Sequence, residues 1–231
     1  MRKITGREKS LPLVHFEDME VIGERYARDA VTGERYKLPK DTTYKQWKEM
    51  QDAAHGAGTV DKMRKMSYNE SADQKQFDAY KARLGDEAPN TFEDFQKLKY
   101  DSPTAYNDLC GLYSYKGRVP EATKADYGKY KAVKATGVYG SVRVPPKYID
   151  VKGLTFKDEH GEHHGCTLEQ AIGYIENTKC SITRKRWDGY HTNYYAMDGA
   201  TYVSDKEGTI NTAFMKKDFD PTTNSILEVF Q

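Results

Sequence analysis

The chain has 231 residues, of which 31% are charged and 37% hydrophobic, and its formal net charge is +1. No run of 18 apolar residues occurs, so no transmembrane helix is expected, and Met1-Arg2-Lys3-Ile4-Thr5-Gly6 lacks the apolar stretch of a secretory signal. Near-neutrality gives no global attraction for polyanions. Residues 151–231 carry 9 Lys and Arg against 12 Asp and Glu, so any anion-binding site has to be a local patch.

Cys110, Cys166 and Cys180 are odd in number, widely spaced and without a C-x-x-C pair, which argues against a disulfide framework or a structural cysteine zinc site. The chain reads as made in a reducing cytoplasm. Residues 1 to about 60 are polar and turn-rich. Val31-Thr32-Gly33-Glu34 predicts a hairpin turn between Glu24-Arg25-Tyr26-Ala27 and Arg35-Tyr36-Lys37-Leu38. Asp41-Thr42-Thr43-Tyr44 is placed to cap a short helix through Gln46 to Met50, which Gly56-Ala57-Gly58 ends, because short polar side chains accept the orphan N–H groups of a first turn.

Phe77, Tyr80 and Leu84 recur at helical spacing within residues 71–84, and Gly85 is placed to stop that helix. Thr91 and Asp94 resemble a capping box for a second helix through Phe92, Phe95 and Leu98. Thr104 to Tyr115 reads as a third, with Tyr106, Leu109, Leu112 and Tyr113 on its apolar side. From Lys116 to Pro146 the chain becomes basic and Gly-containing, with Tyr127, Tyr130 and Tyr139 among lysines. Such a stretch is expected to be a solvated linker, or else a strip for single-stranded nucleic acid.

Thr167 to Asn177 predicts a helix capped by Thr167, with Leu168, Ala171, Ile172 and Ile175 on one face. Strands are expected at 181–187, 192–197, 201–204, 209–214 and 225–230. Asp188-Gly189, Asp198-Gly199 and Glu207-Gly208 would supply the positive φ of hairpin turns between them. The expected fold class is α+β: a mainly helical N-terminal region, then a domain of one or two helices on an antiparallel sheet. The expected division is 1–115, a linker at 116–149, and a compact domain at 150–231.

Half of the six histidines, His160, His163 and His164, fall within five residues ahead of that last helix. Imidazoles transfer protons near neutral pH without help from a cofactor. With Cys166 the same cluster holds enough donors for zinc, although a typical site joins two separated ligand pairs. A polar turn is the bland reading. No G-x-S-x-G and no Gly-rich phosphate loop is present.

The ordered segments Leu38-Pro39-Lys40-Asp41-Thr42-Thr43-Tyr44-Lys45-Gln46-Trp47, Tyr68 to Lys81 and Phe92 to Tyr100 resemble the distal part of phage minor head proteins of the Mu-F-like group, over roughly residues 17–115. The long N-terminal helical region of that group has no counterpart here, so the chain is expected to be a tail or a truncated form. Members often end in a variable toxin domain. Residues 150–231 resemble the barnase/EndoU/colicin/RelE-type nuclease fold, and the resemblance implies metal-independent RNA cleavage with no cofactor. The Arg, Ser-Thr-Ser and Glu-x-Glu signature of an ADP-ribosyltransferase toxin is absent.

Cleavage of that kind needs a base for the ribose 2′-OH, an acid for the leaving 5′-oxygen and cations for the phosphorane. His164, with His160 as alternate, is assigned one proton transfer and His191 the other. Arg184 and Arg186, alternating on one strand, would grip phosphate, and Thr212 would assist. The reading implies RNA, including tRNA, as substrate, an acidic immunity protein, contacts with phage head or portal proteins, and a place in the virion or the host bacterial cytoplasm. The competing expectation is a non-enzymatic head protein ending in a small binding domain.

Overall fold

A computed structural model describes residues 16–21, 24–157 and 164–231. The chain is α+β and divides into two compact units, Met1–Leu109 and Cys110–Gln231. Among the described residues no helix is long and apolar enough to cross a membrane.

The first unit opens with an antiparallel sheet of β1 (Phe16–Val21), β2 (Glu24–Arg28) and β3 (Arg35–Leu38). The expected β2–β3 hairpin forms, closed by Asp29 N–H to the Glu34 carbonyl at 2.8 Å. Helix α1 (Tyr44–His55) follows with a complete capping box of Thr43 and Gln46, and its Trp47 is fully buried against Ala27, Ala30, Leu38 and Val60. Helix α2 (Thr59–Leu84) begins twelve residues before the apolar spacing suggests, and α3 (Phe92–Asp101) is capped by Thr91 as expected. Phe77, Tyr80, Phe95 and Tyr106 form an edge-and-tilt aromatic cluster with centroids 5.7–6.1 Å apart. Helix α4 spans Pro103–Arg118.

Asp29 locks the turn to α1. Its carboxylate accepts N–H bonds from Val31 at 2.9 Å and Thr32 at 2.8 Å and meets His55 Nε2 at 2.6 Å. Burial alone would raise its pKa, but the bonds from Thr32, His55 and Val31 outweigh burial and bring it down to about 2. A carboxylate depressed in the folded state stabilises above its unfolded value of 3.8 and loses that contribution as pH falls through about 2. Asp29→Asn is therefore expected to be less stable than the parent at neutral pH. The gap in urea midpoint should close between pH 4 and pH 2; a gap independent of pH would disprove this account.

The second unit is built on a six-stranded sheet in the order β4-β6-β7-β8-β9-β5. The central meander is β6 (Cys180–Arg186), β7 (Gly189–Tyr195), β8 (Gly199–Ser204) and β9 (Thr209–Met215), all antiparallel. Two short edge strands complete it: β4 (Ser141–Arg143), antiparallel to β6, and β5 (Thr155–Phe156), parallel to β9.

Three expectations are corrected here. The 116–149 stretch is part of this unit and not a solvated linker. It contains α5 (Lys124–Ala135), with a Thr123/Asp126 capping box and a buried Val133, as well as β4. Tyr127 and Tyr130 face Tyr115, the closest ring pair stacking at 4.2 Å, so these aromatics are packing groups and not a nucleic-acid strip. The expected strand at 225–230 is instead helix α7 (Pro221–Glu228), where Asp220 caps the first turn and Pro221 occupies a position whose N–H needs no partner. The sheet is also covered on both faces. Helix α6 (Leu168–Glu176) buries Ala171, Tyr174 and Ile175 against one face, leaving Leu168 exposed, while α5 and α7 cover Cys180, Ile182, Tyr195 and Ala200 on the other.

Gly189 and Gly208 have the expected positive φ, but Gly199 does not. It is needed because the Tyr174 ring lies directly on β8: an added Cβ would fall 2.2 Å from two ring carbons. Tyr174 is buried and has nowhere to retreat. Gly199→Ala is thus expected to destabilise the second unit by about 1–3 kcal/mol, the cost of overpacking. Gly199→Ala with Tyr174→Leu should recover part of the loss in urea unfolding, and a neutral single variant would refute the contact.

Candidate active face

Alternation along paired strands sorts the sheet residues by face. Arg184 pairs with His191, His191 with Ser204, Asn193 with Tyr202, and Tyr202 with Thr212. Arg184, Arg186, His191, Tyr202, Thr212 and Phe214 therefore project from the same side, the face whose lower part is covered by α5 and α7. His164 joins them from outside the sheet, its ring 4.5 Å from that of Phe214. Phe214 in turn meets Tyr202 at 5.3 Å. His164, Arg184, Arg186, His191 and Thr212 thus share one face. Phe214, however, is in register with Cys180 through Ala200 and Tyr195, so the His164 contact lies three strands away from Arg184 and Arg186 and at the opposite end of the strands. His160 and His163 lie outside the described residues.

His191 is only 4% exposed, and both its ring nitrogens have partners. Asn211 Nδ2 lies 2.8 Å from Nδ1 and can only donate, so Nδ1 accepts and Nε2 carries the proton given to Asp188 Oδ1 at 2.9 Å. That bond from His191 holds the Asp188 carboxyl below the usual carboxylate range. Asn211 reaches the ring because the β8–β9 register shifts between Tyr202 and Val203, leaving Asn211 as the extra residue of a bulge. Neither Asp188 nor Asn211 was singled out by the sequence: the first reads as a turn residue, and a bulge leaves no spacing signal.

Two oxygens on this strip lack partners. Asn211 Oδ1 and Thr212 Oγ1 are shut off from solvent yet make no hydrogen bond. Along β9 they precede Phe214, against which His164 packs, and Asn211 also makes the contact to His191. Unsatisfied buried oxygens cost about 1–3 kcal/mol each, so a native structure that keeps two side by side calls for an explanation.

Arg184 is anchored, its Nε donating to the Tyr139 carbonyl at 2.9 Å, whereas Arg186 is exposed. Of the four candidate zinc donors, two are described and they diverge. Cys166 is buried among Ala171, Tyr174 and Ile175 on the α6 face, where burial pushes its thiol pKa up, while His164 lies on Phe214. Among the described residues no group of three or more His, Cys, Asp or Glu is placed to hold a metal ion.

The opposite face holds a polar cluster that the sequence reading missed. Lys147 Nζ lies 2.6 Å from Asp205 Oδ2, which also accepts from Thr192 Oγ1 at 3.0 Å. The chain from β4 crosses this face to β5, burying Ile149, Val151 and Leu154 over Tyr194, Val203 and Ile210, and Lys147 sits at the start of that crossing. No family model, no curated protein and no solved structure matches the chain.

Proposed function

We propose that the second unit is a metal-independent ribonuclease, carried behind a segment resembling a phage minor head protein, and that the chain acts as a phage-encoded toxin on bacterial RNA. The observation that supports this reading most is the shared face: it carries His164 against Phe214, Arg184, Arg186 and Thr212, together with the Asp188–His191–Asn211 chain. A histidine takes the 2′-OH proton, the 2′-oxygen bonds to phosphorus, and the bond from phosphorus to the 5′-oxygen breaks as that oxygen is protonated. The products are a 2′,3′-cyclic phosphate and a 5′-hydroxyl.

His164 is the substrate-facing proton carrier in this reading. Arg184 and Arg186, toward the β6–β7 turn of the same face, offer planar donors to phosphates farther along the RNA, and Thr212 lies two residues from Phe214 on β9. His160 is the alternate to His164, and the second proton transfer falls to His191, which requires Asn211 to swing off Nδ1. RNA, tRNA among it, is the substrate, and the producing cell would need an acidic immunity protein covering this face. Head or portal proteins are the partners of the first unit, in the virion or the host cytoplasm.

The burial of His191 with both nitrogens engaged favours a second reading, a non-enzymatic head protein whose tail is a binding domain. Incubating the purified full chain with total RNA and with tRNA separates the two. Fragments ending in 2′,3′-cyclic phosphate at catalytic protein concentrations are the expected result; RNA left intact removes the ribonuclease proposal.

A further inference from the structure

On the α6 side of the sheet, beside the β6–β7 hairpin, lies a cavity of about 540 Å³ lined by Lys147, Thr183, Gly189, Tyr190, Asp205 and Lys206. Its floor is a directed hydrogen-bond chain. Thr192 gives its single hydroxyl proton to Asp205, so the 2.9 Å contact between Thr183 and Thr192 must be donated by Thr183. Thr183 Oγ1 is left as an acceptor facing the cavity, together with the Asp205 carboxylate. Both are suited to amine and imino N–H groups.

The walls supply different chemistry. Tyr190 is 55% exposed and offers an open aromatic face, and Lys206, exposed and without an ion-pair partner among the described residues, stands over Gly189. Asp205 N–H donates to the Tyr190 carbonyl at 2.9 Å, which fixes the β8–β9 turn against the hairpin, and Lys206 and Tyr190 line the same cavity. Lys185 pairs with Tyr190 on the same face, and Trp187, in the adjoining turn, is 97% exposed. Further along β7 on this face, Tyr194 is fully buried and its hydroxyl has no partner.

We propose that this cavity is a second recognition site, binding one nucleotide of a single-stranded polynucleotide, with the base on Tyr190, its polar edge toward Thr183 and Asp205, and phosphates on Lys206 and Lys185. A flat aromatic face needs an unstacked base, which single strands offer and duplexes do not. The site rests on the RNA reading above and gives it a docking point away from the reacting face. A strand held here would pass the β6–β7 hairpin, whose other side carries Arg184 and Arg186.

The test is fluorescence anisotropy of the full chain with a labelled 2′-O-methyl oligonucleotide, which lacks the attacking hydroxyl, alongside cleavage of tRNA. Tyr190→Ala is expected to weaken binding on the order of 10–100-fold, as for loss of one stacked base. Lys206→Glu should weaken it and flatten its salt dependence. Unchanged affinity in both variants overturns the site while leaving any observed cleavage standing. Binding that depends on Tyr190 without any cleavage supports the site and removes the ribonuclease. A wild-type chain that binds no oligonucleotide overturns the site outright, and displacement by a mononucleotide at equal concentration overturns its assignment to a polynucleotide.

Discussion

Replacing His164 by Asn is expected to lower RNA cleavage by the full chain on the order of 100- to 10,000-fold, the usual contribution of one positioned proton carrier. Asn keeps a polar side chain against Phe214 and removes the titrating ring, so the urea midpoint should move little. His191 makes the contrast. It is buried and joins the 188–189 turn to the β9 bulge, so His191→Ala is expected to lose stability as well, about 1–3 kcal/mol for the buried amide left without its acceptor. If His191 only positions the strip, Asn211→Ala, which frees Nδ1 from its donor, lowers activity; if His191 is the second proton carrier, Asn211→Ala preserves or raises it. Full cleavage by His164→Asn would leave the strip without its principal chemistry.

The residues that announced themselves in the sequence did so through local rules. Thr43, Thr91 and Thr167 each cap the helix expected of them, because capping depends on a few adjacent positions. The same rule was available at Thr123/Asp126 and at Asp220-Pro221. At the first, bracketing glycines and prolines and interspersed acidic residues read as a linker, and at the second the β-branched and aromatic run Ile226, Val229, Phe230 reads as a strand. Helix α7 wins there because Ile226 and Leu227 reach the core on one helical face, a tertiary outcome that propensity does not contain. The sharing of one face by Arg184, His191 and Thr212 followed from alternation within strands and was partly legible. Placing Asn211 on His191 needed a bulge, and assembling Lys147 with Asp205 needed a crossing segment that joins residues 58 apart. Neither is written in any local spacing.

The largest stability effect is expected at Asp73 in the first unit. Its side chain is fully buried between α2 and α3, accepting from Lys99 Nζ at 2.7 Å and from the Tyr100 hydroxyl at 2.7 Å. Lys99 continues to Gln76 Oε1 at 2.9 Å, and Gln76 Nε2 donates to the Tyr106 hydroxyl at 2.7 Å, so one carboxylate organises three helices within this unit. Breaking a buried pair by deleting one partner costs about 3–5 kcal/mol, because the remaining charge loses its compensation. Lys99 is 24% exposed along its side chain and can reach water, which places Asp73→Ala near the low end, about 3 kcal/mol. Burial, followed by the bond to Asp73, pushes the Tyr100 pKa up to about 12. A phenol raised in the folded state contributes stability that is complete below its unfolded value of 10.0 and is lost as pH climbs through 12. Asp73→Asn should therefore bring the Tyr100 titration downward, read by NMR of ring-labelled tyrosine, while burial keeps it above 10.0. An Asp73→Ala chain that unfolds at the parental urea concentration would show that the network is not what joins these helices.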